Sequence, residues 1–521
     1  MSIRISSIRG KLRVARSLPR APQSRGHATS SYSPFAYTWL TGTPEAIVSY
    51  SPPEMIISRV DKGLKSTQDI LSSFPPSPTP LLAENSIPLL LVTPSFAHWL
   101  RPSDEFLPQL MRQLYSNDSN NSTRYAVAAV IDKIPEGTSL NRLESEGLSL
   151  LAVEEENVHG KAVAPRRFGG PANEESDLLV SIRNKLPSQS PAEVTHEVGL
   201  RLANTVFVNG KESTLFGMRW TLDGTTNAYT LASTIDLTSC AVISTPSSAG
   251  VSLTLPLYPI GERRRVIASM GNILRQISKS NHPTSQEPIP ASSELEKDLP
   301  RYIKEHNITD QRVSVWALVE KPDVMITDHN LSTQDYLIQS LRQGGKLHRV
   351  VSGGGGWGKK QGLLSLDSEV NFSGSAQRDA LVGLNQLFNP STNAGSDLPT
   401  FLAKDLVGDD LSLLSQVAKA GDFIQFFVSV DPTDVQGTVV SDANASDSNI
   451  TYCFGMVSDA GKIFSSKAMH ESDKITVLPN TFGALSEKAI AYAQPVTQHG
   501  ETSASSTKLD IPGCRVVLNT V

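Results

Sequence analysis

The residues whose types and spacing could do chemistry are Gly353, Gly354, Gly355, Gly356, Gly358, Lys359 and Lys360, in the segment running from Val350 to Lys360 around Trp357. Glycines let backbone N–H groups converge on an anion, and a lysine adds a point charge. Gly353 to Lys359 has the G-x-x-x-x-G-K spacing of a phosphate loop, and a strand-like run precedes it. Two departures separate it from that motif. Lys360 stands where a Ser or Thr would bind Mg²⁺, and Gly362 falls in what should be the first helical turn. Leu363 to Leu366 reads equally well as a strand. Three readings stay open: a nucleotide loop, a site for another anion or ligand, and a structural glycine turn that carries Trp357 into an interface. Arg342, Lys346, His348 and Arg349 make the neighbourhood basic, which favours an anion if the loop binds anything.

Other constellations are weaker. His196-Glu197 and His470-Glu471 lack the second histidine of a zinc protease helix. Asp323, Asp328 and His329 follow a strand, where α/β sites gather, and read as a metal set or as an Asp-rich turn. Ser95 and His98 resemble a nucleophile and its base, but no orienting acid can be assigned. Arg263, Arg264 and Arg265, with Arg275 and Lys279, suit either RNA or anionic lipid contact or a charged outer face. Cys240, Cys453 and Cys514 are odd in number, widely spaced and without C-x-x-C spacing, which argues against a disulfide framework or zinc site, and Cys453, in an apolar stretch, reads as a buried thiol. The sequence assigns no catalytic residue, no metal site and no cofactor.

The elements that must position these residues follow from periodicity. Ile87 to Val92, an apolar-periodic helix around Asp104 to Tyr115, and Tyr125 to Ile131 form a strand–helix–strand unit. Before it, Ser51 to Glu54 reads as a capping box that opens a helix. From about 148 to 258, short runs separated by Gly, Asn, Ser and Thr read as β-rich. Glu262 to Ile277 returns to helix period through Val266, Met270, Ile273, Leu274 and Ile277. Ser278 to Ser293 reads as an interdomain linker. Val313 to Val319, a helix capped by Ser332 and closed by Gly344, and Leu347 to Val351 form a second strand–helix–strand unit. Asp422 to Val430, Thr451 to Val457 and Lys474 to Leu478 read as strands, and Asp431 to Asn449 as a polar loop.

The expected fold class is α/β (mixed α+β): two βαβ-containing domains with a β-rich middle segment. The expected division is 1–32 as a mitochondrial presequence, 33–277 as an N-terminal domain, 278–293 as a linker and 294–521 as a C-terminal domain carrying the glycine-rich loop. The presequence reading rests on Arg4, Arg9, Lys11, Arg13, Arg16, Arg20 and Arg25 interleaved with Ile3, Ile5, Ile8, Leu12, Val14 and Leu18, with no acid before Glu45. It predicts a mitochondrial, matrix address. Net charge is −5, and without the seven arm cations it is −5 − 7 = −12, which disfavours general nucleic-acid binding. The composition, 39% hydrophobic and 19% charged, is that of a folded chain. No apolar run approaches the length of a transmembrane segment.

The order of elements in Ile87 to Val92, the helix through Leu107 and Leu114, and Ala126 to Val130 leading to Glu146 to Leu150 resembles the FIST (F-box and intracellular signal transduction) domain. Ala420 to Val428 and Gly455 to Phe464 are similar in style to that family's C-terminal part. The resemblance covers about half the chain, and implies a sensory or small-ligand-binding role. The glycine-rich loop does not map onto it. The expected function is therefore a mitochondrial binding protein for a small anionic ligand or a partner protein, without chemistry of its own. Two alternatives stand beside it: an enzyme that holds a phosphorylated substrate or nucleotide through Gly353 to Lys360, and a gene-expression factor that contacts RNA.

Overall fold

Val/Ile/Leu-rich runs with apolar residues on both faces become central strands, because both faces of such a strand must be covered. In the computed structural model, β2 (Ser86–Val92) is such a strand, buried from Ile87 onward. The structure describes residues 35–41, 67–74, 81–115, 122–136, 144–163, 176–185, 193–203, 214–280, 287–306, 308, 313–324, 326, 331–353, 362–367, 381–389, 416–429, 450–458, 475–494, 496–498, 501–503 and 506–520. These fall in one unit, Pro34–Val521. The arm, the capping box at Ser51 to Glu54, and residues 431–449 lie outside the described residues.

The largest sheet has β1 (Ala36–Thr41), β2, β3 (Thr123–Val130), β4 (Glu144–Glu154), β5 (Leu215–Asp223) and β6 (Ala228–Ser244) in the order β1-β4-β2-β3-β5-β6. β2 and β3 pair in parallel, Leu89 opposite Val127, and α1 (Phe106–Leu114) lies between them in the chain. The first expected βαβ unit is thus present. Alternate residues serve two cores: Leu90 and Val92 meet α1 through Leu107, Leu110 and Leu114, while Ile87, Leu89 and Leu91 enter the larger core on the other face.

A second assembly closes on itself. β7 (Tyr258–Met270), β8 (Ile273–Ser278), β9 (Ser314–Glu320), β10 (Lys346–Gly353), β11 (Leu364–Leu366) and β12 (Phe423–Ser429) follow the circuit β7-β12-β9-β10-β11-β8, and β8 pairs back to β7. Every pairing in the circuit is antiparallel, which makes a small barrel. Val315, Ala317 and Val319 of β9 point inward with Ile424, Phe426 and Val428 of β12, and α2 (Ser293–Glu305) adds Leu295 to that core. The alternate residues Trp316, Leu318 and Phe427 join the large core.

Two expectations are corrected here. The segment Glu262 to Ile277 is a β-hairpin, not a helix: Met270 pairs with Ile273 across Gly271-Asn272, and Gly271 has φ 60°. A two-residue Gly-Asn turn is a hairpin signal that outweighs the coincident helical spacing. The second strand–helix–strand unit is real in its elements but is not a βαβ crossover, because β9 and β10 are antiparallel neighbours, Val319 opposite Lys346. The helix between them, α3 (Thr333–Arg342), contacts the end of β9 at Glu320 through Tyr336 and Ser340. It does not carry the chain back to the start of β9, so β10 begins where β9 ends. The mixed α+β class holds, but with a closed barrel in place of a second βαβ domain.

The sheets also draw on both sides of residues 278–293. β7 and β8 complete a barrel with β9 to β12, Ala249–Thr254 pairs with Arg515–Thr520, and Glu193–Arg201 pairs with Ile490–Ala493. Within the expected linker, Pro288–Pro290 pairs with β8, Ile289 opposite Ile277.

Candidate functional site

A buried polar cluster sits between the outer wall of the barrel and α3. The pleat that sends Val319 into the barrel turns Glu320 outward, beneath α3, where its side chain is 1% exposed. A buried carboxylate needs partners. Arg263 Nε of β7 donates to Oε2 at 2.6 Å, Ser340 Oγ donates to Oε1 at 2.6 Å, and the Tyr336 hydroxyl donates to the carboxylate at 2.9–3.0 Å. Arg263 also lies 3.8 Å over the Phe423 ring, a cation–π contact. Burial, reinforced by the Glu320 charge, pushes the Tyr336 hydroxyl well above its ordinary pKa, so it stays protonated and donating. α3 is fixed at its start by Ser332, which accepts from the Asp335 amide at 3.1 Å, and Gln334 clasps the backbone of Leu255.

Beside this cluster is an open cavity of about 270 Å³ lined by Pro259, Ile326, Leu331, Thr333, Tyr336, Gln425 and Phe427. Its walls divide between the apolar side chains of Pro259, Ile326, Leu331 and Phe427 and the hydrogen-bonding groups of Thr333, Tyr336 and Gln425. The Tyr336 hydroxyl donates into Glu320, so toward the cavity it can act as an acceptor. Among the described residues no Lys or Arg lines the cavity.

The glycine-rich loop connects β10 to β11 as a hairpin, Gly353 opposite Leu364. Leu364–Leu366 is a strand, the second of the two readings open for Leu363 to Leu366, whereas a nucleotide loop leads into a helix. Gly353 itself is explained by packing, since a Cβ there would collide with Leu364. Gly354, Gly355, Gly356, Gly358, Lys359 and Lys360 lie outside the described residues, as does Trp357. The base of the hairpin is clamped: Lys508 Nζ bonds Asp367, and also Asp510 at 3.1 Å, while His348 Nδ1 bonds the Asp367 carbonyl at 3.0 Å.

The other sequence candidates disperse. Arg263 is held by the buried Glu320, and Arg264 pairs with the buried Glu294 and the exposed Glu262 at 3.4 Å, whereas Arg275 and Lys279 are exposed and Lys279 pairs with Glu287 at 2.7 Å. No hydrogen bond joins Ser95 to His98 among the described residues, and His98 packs edge-on against Trp99. Asp323 is described, whereas Asp328 and His329 are not. Among the described residues no group of His, Cys, Asp and Glu is arranged to hold a metal ion. The three cysteines are buried, and burial pushes their thiols up to about 12 for Cys240 and Cys514 and about 11 for Cys453.

Sequence reasoning did not single out Glu320, Tyr336 or Ser340. The signal was there in part. Glu320 ends an apolar strand on the parity of Trp316 and Leu318, and Tyr336 and Ser340 are four apart on one helix face. A second unforeseen group lies at the C-terminal ends of β2 and β3. Lys133 pairs with Glu146, whose Oε2 has no hydrogen-bond partner among the described residues, and Thr93 Oγ1 accepts from the Gly147 amide at 3.0 Å. Asp132 accepts from the Glu487 amide at 2.8 Å, and burial raises its carboxyl to about 6.

The fold and this site define a mixed α+β protein built on a large, mainly antiparallel sheet and a closed six-stranded barrel. No protein-family model, no curated protein and no solved structure matches the chain. No helix among the described residues is long and apolar enough to cross a membrane.

Proposed function

We propose that this chain is a non-catalytic binding or sensory protein of the FIST type, acting in the mitochondrial matrix, and that its ligand occupies the cavity between α3 and the barrel wall. The observation that carries the reading is the cavity's lining: Phe427, Pro259, Ile326 and Leu331 supply apolar surface, and Thr333, Gln425 and Tyr336 supply hydrogen-bonding groups. The buried Glu320–Arg263–Tyr336–Ser340 cluster behind it is satisfied internally, so it rigidifies the site rather than performing chemistry. The FIST reading is supported by β2–α1–β3 and β12, which fall where the resemblance puts them. The matrix address is supported by the acid-free, Arg-rich start of the chain.

The walls select a ligand with an apolar body and a hydrogen-bond donor for Tyr336. An anionic ligand would find its cations at Lys359 and Lys360 on the hairpin, not in this cavity. Thermal melts of the full chain separate the two placements. The ligand panel holds nucleotides, phosphorylated metabolites and neutral aromatic amides; saturating ligand should raise the melting temperature by about 2 °C or more. Thr333→Trp, which fills the cavity from the helix start, should abolish the rise if the cavity holds the ligand. Loss of the rise in the Lys359→Ala/Lys360→Ala variant alone would move the site to the hairpin. Melting temperatures unmoved by the whole panel would overturn the small-ligand reading.

A further inference from the structure

A second cavity, remote from α3 in the chain, has a different character. β5 and β6 pair with Phe216 opposite Asp236 and Met218 opposite Thr234, so these four side chains share one face of the sheet. The short 3₁₀ turn Pro94–Leu100 and the residue Pro102 overhang that face. Together Leu100, Pro102, Phe216, Met218, Thr234 and Asp236 enclose about 220 Å³. Leu100, Phe216 and Met218 are buried, and Thr234 and Asp236 are exposed at the rim. The Val163 amide donates to the Asp236 carbonyl at 2.9 Å, which fixes the backbone from which this carboxylate projects. Among the described residues no Lys or Arg pairs with the Asp236 carboxylate, and none lines the cavity.

We propose that this cavity binds an organic monocation, a primary ammonium on a small apolar body. Each wall group favours that class. The carboxylate supplies the opposite charge and a charge-assisted hydrogen bond. The Thr234 hydroxyl offers a second acceptor, and the Phe216 ring and Met218 thioether attract a cation while covering its apolar part. An anion is repelled by Asp236, and a neutral ligand forfeits the charge-assisted bond. The volume lies below the range of about 300–1,000 Å³ typical of drug-sized ligands, so one ring or a short chain fills it. This site is independent of the cavity at α3: it shares no lining residue with it and takes the opposite ligand charge from the anion expected at the glycine-rich hairpin.

The test is calorimetric titration of the full chain with 2-phenylethylammonium, with 2-phenylethanol as the neutral counterpart. The ammonium should bind one to one, and the alcohol about tenfold or more weakly. Asp236→Asn should weaken the ammonium by a similar factor and leave the alcohol unchanged. Thr234→Trp, a rim change that blocks the cavity, should remove both. Both substitutions are at exposed positions, and an unchanged melting temperature without ligand verifies that the variants are folded. Equal affinity of the ammonium for wild type and Asp236→Asn would overturn the proposal, as would the absence of binding heat at millimolar concentration.

Discussion

At the scale of single residues, buried charge is the organising fact. Glu320 is tolerated at 1% exposure because guanidinium and hydroxyl donors from three other residues meet both of its oxygens. Asp132, half-buried, is less well served: the Glu487 amide and the Lys488 and Lys133 charges offset its desolvation only in part, and the neighbouring Glu487 charge adds to the rise of its carboxyl to about 6. This gives a signed pH dependence. A carboxyl whose folded pKa lies above its ordinary value of 3.8 contributes stability that is present below 3.8 and is lost as pH rises through about 6. Asp132→Asn keeps an acceptor for the Glu487 amide and removes the charge. Denaturant melts at pH 4 should give nearly equal midpoints for variant and wild type, and at pH 7 the variant should be the more stable. A difference that stays constant across that window would show that Asp132 is not buried as a charge.

At the scale of elements, the strand ladders decide what can be separated from what. The segment up to residue 277 contributes β7 and β8 to a barrel whose other four strands come after residue 293. Three further pairings cross the same point: β1 with Thr476–Pro479, Ala249–Thr254 with Arg515–Thr520, and Glu193–Arg201 with Ile490–Ala493. A fragment ending at 277 would expose every one of these edges and one side of the barrel core. An engineered protease site within residues 281–286 should therefore yield two fragments that co-elute on native gel filtration and separate only in denaturant. Residues 294–521 expressed alone should be insoluble. Independent, soluble halves would bear out the two-domain division read from composition.

At the scale of the whole molecule, charge and address belong together. The first twenty-five residues carry seven cations and no acid, and the remainder of the chain is at −12. The proposed matrix address assigns that arm the role of an import signal. Fusing residues 1–40 to a fluorescent reporter should direct it to mitochondria, and a diffuse cytosolic signal would refute the address. The acidic body is also consistent with the fate of Arg263 and Arg264, which are consumed as internal partners of Glu320 and Glu294.

Local signals in the sequence determined the first strand–helix–strand unit, the burial of Cys453, and the caps of α3 at Ser332 and Gly344. Each depends on residues close together in the chain: an apolar run, a hydroxyl at a helix start, a glycine at its end, here with φ 95°. The Gly271-Asn272 hairpin was also legible, but the helical spacing of Val266, Met270, Ile273, Leu274 and Ile277 masked it. What only the tertiary structure decided are the relations between distant segments. Whether β9 and β10 run parallel or antiparallel depends on where α3 lies, and periodicity carries no such information. Barrel closure depends on β7 meeting β12, more than 150 residues away in the chain. The site at α3 is a product of the same closure. Glu320 and Arg263 are 57 residues apart, and neither looks unusual until the barrel wall and α3 bring them together. Phe216 and Asp236 likewise become one cavity only through the register of β5 and β6. Sequence patterns specify elements because hydrogen bonding and side-chain periodicity are local. Sites and closures belong to packing, which sums weak contacts over the whole chain.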